Sequence, residues 1–140
     1  MSALVPELDV ADLEASLGFY VRTLGFKVRY RRREDRFAYL EREGAELMLE
    51  EAAGPGRRFH TAPLEHPYGR GMNLQIKCSN VTRLHARVVA AGWEVVLPLE
   101  TRWYRAGKVE KGNRQFVAAD PDGYLLRFFQ DLGERPAAKT

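Results

Sequence analysis

The chain carries one structural message twice. Asp12 opens a helical pattern that closes on Leu24-Gly25-Phe26-Lys27-Val28, and Asn80 opens another that closes on Ala91-Gly92-Trp93-Glu94-Val95. Capping residue and stop glycine lie 13 positions apart in the first pattern and 12 in the second. Each half then runs on as strands, with a hairpin glycine late in it, Gly44 and Gly123. Two strand–helix–three-strand modules in 140 residues predict one fused α+β domain. The modules fall at about residues 4–52 and 71–131. The loop 53–70 joins them, punctuated by Gly54-Pro55-Gly56, Pro63, Pro67 and Gly69, and residues 133–140 read as a flexible tail.

Local signals place the elements. Leu4, Leu8 and Val10 form a first strand bent at Pro6, since proline cannot donate to a ladder. Leu13, Leu17, Tyr20 and Val21 give an apolar stripe over a helix from Ala11 to Arg22, with Asp12 as its cap and Gly25 as its stop. Strands follow at 26–30, 37–40 and 46–50. In the second half, a strand at 72–78 leads to a helix at 81–91, and a strand at 93–97 stops at Pro98. A long connection, 99–112, precedes a hairpin of 116–119 and 124–129 around Asp120-Pro121-Asp122-Gly123. That connection, rich in Trp, Tyr and Arg, accounts for most of the extra length of the second module and is a place to look for ligand contacts.

Composition excludes several classes. No apolar run approaches a membrane span, and Met1-Ser2-Ala3-Leu4-Val5-Pro6-Glu7 does not read as a signal peptide. A single cysteine, Cys78, forms no internal disulfide and fits a reducing cytoplasm. The net charge of +3 includes one basic run, Arg31-Arg32-Arg33, which Glu34 and Asp35 follow at once; it reads as a solvated turn, not a nucleic-acid face.

The module order resembles the vicinal oxygen chelate superfamily. The resemblance rests on Val10-Ala11-Asp12-Leu13-Glu14-Ala15-Ser16-Leu17-Gly18-Phe19-Tyr20 near the start and Asp120-Pro121-Asp122-Gly123-Tyr124 near the end. It implies a curved mixed sheet around a cleft, often completed by a second subunit. Metal enzymes of that superfamily hold a divalent ion with His, Gln or Glu. Carried over one by one, their ligand positions fall on Val5, near Met72 or Asn73, and on Arg127. An isopropyl group cannot bind a metal and a guanidinium repels one, so no metal and no cofactor is expected. Leu47-Met48-Leu49-Glu50 and the Leu125-Leu126-Arg127 run after Gly123 look closest to the bleomycin-resistance proteins, which bind ligand as dimers without a protein-held metal. Those proteins are acidic, whereas this chain has a pI near 9.2.

Candidate ligand contacts are Trp103, Tyr104, Phe37, Phe59, Glu50 and Arg127. Adjacent Trp103 and Tyr104 face opposite sides of any strand, so one can pack while the other meets ligand. Flat rings suit planar ligands by stacking. Glu50 can meet a cation, and Arg127 can hold an anion or pair across the sheet. His60 and His66 read as exposed loop histidines and His85 as a surface or interface residue; Cys78 reads as a small apolar strand residue, and no catalytic constellation is visible. The expected function is sequestration of a small planar or aromatic molecule by a cytoplasmic homodimer, without chemistry. The alternatives are a metal-dependent lyase or dioxygenase with an atypical site, and a metabolite sensor.

Overall fold

The structure, a computed structural model, describes residues 1–138. Two four-stranded mixed sheets, each packed with one main helical segment, make up the fold, and the first also carries a short 3-10 turn, Arg33–Asp35. The chain divides into two compact units: residues 1–70 together with Asp120–Tyr124, and Gly71–Ala119 together with the segment from Leu125 onward.

In the first unit the sheet order is β1 (Glu7–Val10), β4 (Ala45–Glu51), β3 (Phe37–Arg42), β2 (Lys27–Arg32). The β1–β4 pair is parallel and the others are antiparallel. The helical segment starts as α1 (Leu13–Leu17), capped by the Asp12 carboxylate, which accepts from the Ala15 N–H at 3.2 Å. The expected regular helix to Arg22 is not what forms. From Gly18 to Thr23 the backbone widens into a π-helix. The Leu24 N–H reaches back to the Phe19 carbonyl at 3.0 Å, and this turn buries Phe19 and Tyr20 together. Leu8, Val10, Leu40, Leu47 and Leu49 form the core under this helix, each no more than 2% exposed. Leu4 lies outside β1 and is exposed.

The turn Asp120-Pro121-Asp122-Gly123 packs in this first unit, although its sequence position places it in the second module. Hydrogen bonds explain the assignment. The Tyr20 hydroxyl donates to Asp120 Oδ2 at 2.7 Å, and the Ala11 N–H donates to Asp122 Oδ1 at 3.2 Å. The Tyr124 hydroxyl donates to the Asp9 carbonyl at 2.9 Å. Gly123 has φ +93°, and a Cβ there would stand 2.4 Å from Pro67 Cβ, so only glycine fits the turn.

In the second unit the order is β5 (Asn73–Lys77), β8 (Leu125–Pro136), β7 (Val109–Ala119), β6 (Val95–Ala106). Helix α2 (Val81–Ala90) is capped by Asn80, whose side chain accepts from the Arg83 N–H at 3.0 Å. Val81, Leu84 and Val88 face Ile76, Phe116, Ala118, Leu126 and Phe128, all buried. Three expectations are corrected here. Pro98 does not end the strand: β6 runs on to Ala106, because irregular register around the proline absorbs its missing N–H. Residues 99–112 are therefore a long hairpin turning at Gly107-Lys108, not a loop connection. Residues 133–136 are strand, paired by β8 with Val109–Gly112 of β7, so the tail begins later than expected; residues 139 and 140 lie outside the described residues. No helix among the described residues is long and apolar enough to cross a membrane.

Candidate functional site

In each unit one sheet face packs on its helix and the other carries polar and aromatic side chains. On the first unit's open face, register sets two rows across four strands: Asp9, Glu50, Phe37, Arg32 and Glu7, Met48, Tyr39, Tyr30. The Tyr30 ring stacks on Tyr39 at 5.2 Å and lies 6.1 Å from Phe37. The Arg32 guanidinium sits 4.0 Å over the Phe37 ring, a cation–π contact that holds the edge of the aromatic wall.

Glu50 is buried beside Glu7 and Asp9, with Arg58 at 3.6 Å as its cationic neighbour. Burial, then the hydrogen bond and repulsion from Glu7, push its carboxyl above the usual range, against the pull of Arg58. A Cβ at Gly56 would stand 1.6 Å from Glu50 Oε1, so the loop closes over this acid only because position 56 is glycine. His60 is not a free loop histidine: its Nε2 meets Asp9 Oδ2 at 2.5 Å. A cavity of about 250 Å³ opens here between Glu7, Tyr30, Phe37, Glu50, Arg57 and Phe59. Phe59 itself is 79% exposed, with the Arg57 guanidinium 5.1 Å over its ring.

On the second unit's open face the rows are Gln75, Arg127, Val117, Leu97 and Lys77, Phe129, Gln115, Glu100. The Arg127 guanidinium donates to the Gln75 amide oxygen. Gln115 is 2% exposed; its amide nitrogen donates to Glu100 Oε1 at 3.1 Å and to the Tyr104 hydroxyl oxygen at 2.6 Å. Two cavities of about 430 and 490 Å³ border this face, within the usual range of ligand sites, and both are lined by Tyr104 and Arg127.

The six expected contact residues therefore fall in three places. Phe37, Phe59 and Glu50 border the first unit's cavity. Tyr104 and Arg127 border those of the second. Trp103 lines none of these: it lies over Gly112, within 2.7 Å of a Cβ placed there, with the Arg135 guanidinium 4.1 Å over its ring. Sequence reading missed Tyr30, Glu7, Gln75, Lys77, Gln115 and Phe129. The signal was present in the alternation of polar Gln75 and Lys77 with apolar Leu74 and Ile76, and of Arg127 and Phe129 with Leu126 and Phe128.

The positions that would hold a divalent ion do not fit one. Val5 offers no donor atom, Met72 only a thioether and Asn73 only an amide, and Arg127 is a cation engaged with Gln75. Among the described residues no group of three or more His, Cys, Asp or Glu side chains is placed to hold a metal ion.

Comparison with known proteins agrees with this architecture. A bleomycin resistance protein of Geobacillus stearothermophilus is 28% identical over 137 residues, covering 91% of this chain and 96% of its own length. One of Staphylococcus aureus matches to the same extent. Among solved structures, TioX from Micromonospora sp. ML1 superposes with a TM-score of 0.74 at 24% identity, over 94% of this chain and all of that one. A protein of unknown function from Agrobacterium tumefaciens gives 0.67 at 26%, over 94% and 95%. The family model of the Glyoxalase/Bleomycin resistance protein/Dioxygenase superfamily matches residues 5–128, and the chain belongs to that superfamily.

Proposed function

We propose that this protein binds and sequesters a small, planar, largely aromatic molecule, as a homodimer in the cytoplasm, without breaking or making bonds in it. The observation that carries the reading is Arg127. Four residues after Gly123, where the resemblance leads one to expect a metal-binding glutamate, a guanidinium is tied to Gln75. Such a position orients or pairs with a ligand and supplies no Lewis acid. The exposed rings of Phe59 and Tyr30 supply surface for stacking, and the buried rings of Phe37 and Tyr39 back Tyr30 from behind.

Protection follows from mass action. A ligand held at a Kd well below its working concentration is withdrawn from its target in proportion to the protein present. The similarity to bleomycin resistance proteins favours this reading over a catalytic one. Of the acids Glu7, Asp9 and Glu50, Glu50 lies by Arg58 and Asp9 by His60, so Glu7 remains for a cationic ligand to meet. A second copy of the chain would cover the open sheet faces and unpaired strand edges.

The test is a titration of intrinsic tryptophan fluorescence with a bleomycin-type glycopeptide and a panel of planar aromatic compounds, recovering each compound unchanged afterwards. Saturable binding with intact compound supports the reading. Turnover of a bound compound, or activity that appears on adding one divalent metal, overturns it.

A further inference from the structure

We propose that the open face of the second unit's sheet takes an aromatic carboxylate that also carries an O–H or N–H donor, the carboxylate meeting Arg127 and the donor meeting Gln115. This rests on the small-molecule reading above and names the ligand class for this face.

Two unpartnered polar atoms define the site. Arg127 Nε is shielded from solvent and has no hydrogen-bond partner among the described residues. Among the described residues its guanidinium meets one partner, the neutral Gln75 amide, so its positive charge stands on the face without a counter-ion there. Arginine offers a planar fork of donors matched to a carboxylate. Gln115 supplies the second atom. Its Oε1 is likewise shielded and unpartnered among the described residues, in a side chain that is 98% buried. Its amide orientation follows from Glu100, whose carboxylate only accepts and so takes the nitrogen; the Tyr104 hydroxyl, which can donate or accept, is compatible with it. The oxygen therefore awaits a donor, and burial makes an unmet acceptor costly.

The two groups work together by register. Val117 pairs with Arg127 and Gln115 with Phe129, so Arg127 and Gln115 are diagonal neighbours on one face, about 7–8 Å apart. That span suits a ring system with the anion at one end and the donor at the other. Both residues line the cavity of about 490 Å³. The rings of Tyr104 and Phe129 border the adjoining one. Charge agrees: Lys77, Lys111, Arg102 and Arg127 line these cavities against Asp131 and Glu100. An inorganic anion leaves Gln115 unmet, and a cation meets the wrong field.

The experiment is calorimetric titration of the full chain with four probes: a hydroxynaphthoate, the naphthoate without its hydroxyl, the hydroxynaphthoate methyl ester, and a naphthylmethylammonium. The expected order is hydroxynaphthoate tightest. Arg127→Gln should weaken both carboxylates about ten- to a hundredfold and leave the ester unchanged. Gln115→Met should weaken the hydroxynaphthoate about tenfold and leave the naphthoate unchanged. Arg127→Lys, which keeps the charge, should restore part of the loss, and thermal melts confirm that each variant is folded. If the ester or the ammonium binds as tightly as the acid, or if affinity responds to Phe37→Leu and not to Arg127→Gln, the assignment to this face is wrong while the small-molecule reading stands. If no probe and no compound of the wider panel binds, both are wrong.

Discussion

Replacing Tyr20 by phenylalanine removes one oxygen from the most enclosed polar contact of the first unit. Tyr20 is fully buried, and its hydroxyl donates to Asp120 Oδ2 at 2.7 Å. The other Asp120 oxygen accepts from the Asp122 and Tyr124 N–H groups, each at 2.9 Å. Burial pushes the Asp120 carboxyl up to about 6, and those three donors hold it from rising further. Its folded value therefore stands above its ordinary value of 3.8. The folded chain keeps an extra proton between about pH 4 and 6, and stability falls as pH rises through that window, by about 3 kcal/mol for this group. Without the tyrosine donor the carboxyl rises further, so the variant loses stability over a wider window. At pH 8 the lost bond is one to a charged group, worth about 1.5–3 kcal/mol. At pH 4.5 the acid is mostly protonated and the loss falls to about 0.5–1.5 kcal/mol. Urea unfolding of both proteins at these two pH values measures the difference directly. Contributions from other carboxylates, such as Glu46, held at about 2 by the Tyr39 hydroxyl and the Ser2 N–H, cancel between the two proteins. An equal penalty at both pH values would refute the reasoning, because it would mean that the tyrosine does not act on the charged form.

Other substitutions probe separate parts of the structure. Gly123→Ala should destabilise by more than the roughly 1–2 kcal/mol of a left-handed residue, since its Cβ would also meet Pro67; a melting temperature within a degree of the parent would contradict the turn geometry. Trp103→Ala should lower stability through lost packing on Gly112 and Arg135 and leave ligand affinity within about twofold, whereas Tyr104→Ala should cost about 1–3 kcal/mol of binding; paired denaturation and titration curves separate the two. A chelator should leave the melting temperature unchanged, given Val5, Asn73 and Arg127 at the positions in question; a drop reversed by one specific ion would show a donor set elsewhere. Light scattering at micromolar concentration should give twice the chain mass, and a monomer there would remove the shared cleft.

Much of this was readable from residue order because the signals were local. Asp12 and Asn80 cap the helices that their side-chain chemistry announces, and Gly25 and Gly92 take the positive φ that stops them. The opposite facing of Trp103 and Tyr104 follows from strand alternation alone. What escaped was set by partners distant in sequence. Pro98 looks like a stop until β7 is present to pair with the residues beyond it. Phe37 to Leu40 is buried without alternation, because Tyr30 and Arg32 cover the face that a lone strand would leave wet. The acid at Glu50 reads as a strand end near water, yet Gly56 lets a loop close over it, some distance along the chain. Gln115 carried no signal at all; its importance lies in which of its two amide atoms found partners.

The turn at residues 120–124 bears on where this chain can be cut. A fragment ending at residue 70 lacks the acceptors for the Tyr20 hydroxyl and the Ala11 N–H and the donor for the Asp9 carbonyl. It would expose a polar seam at the foot of its own helix, so the first repeat is not a portable cassette despite its regular pattern. Rearrangements of chain order meet the same constraint. New termini at Gly107-Lys108, a hairpin tip whose glycine has open space around it, leave the donor and acceptor of each of those hydrogen bonds on one chain. New termini between Asp120 and Tyr124 sever the loop that two separate stretches of chain share, and with it the means by which the later sequence completes the earlier fold.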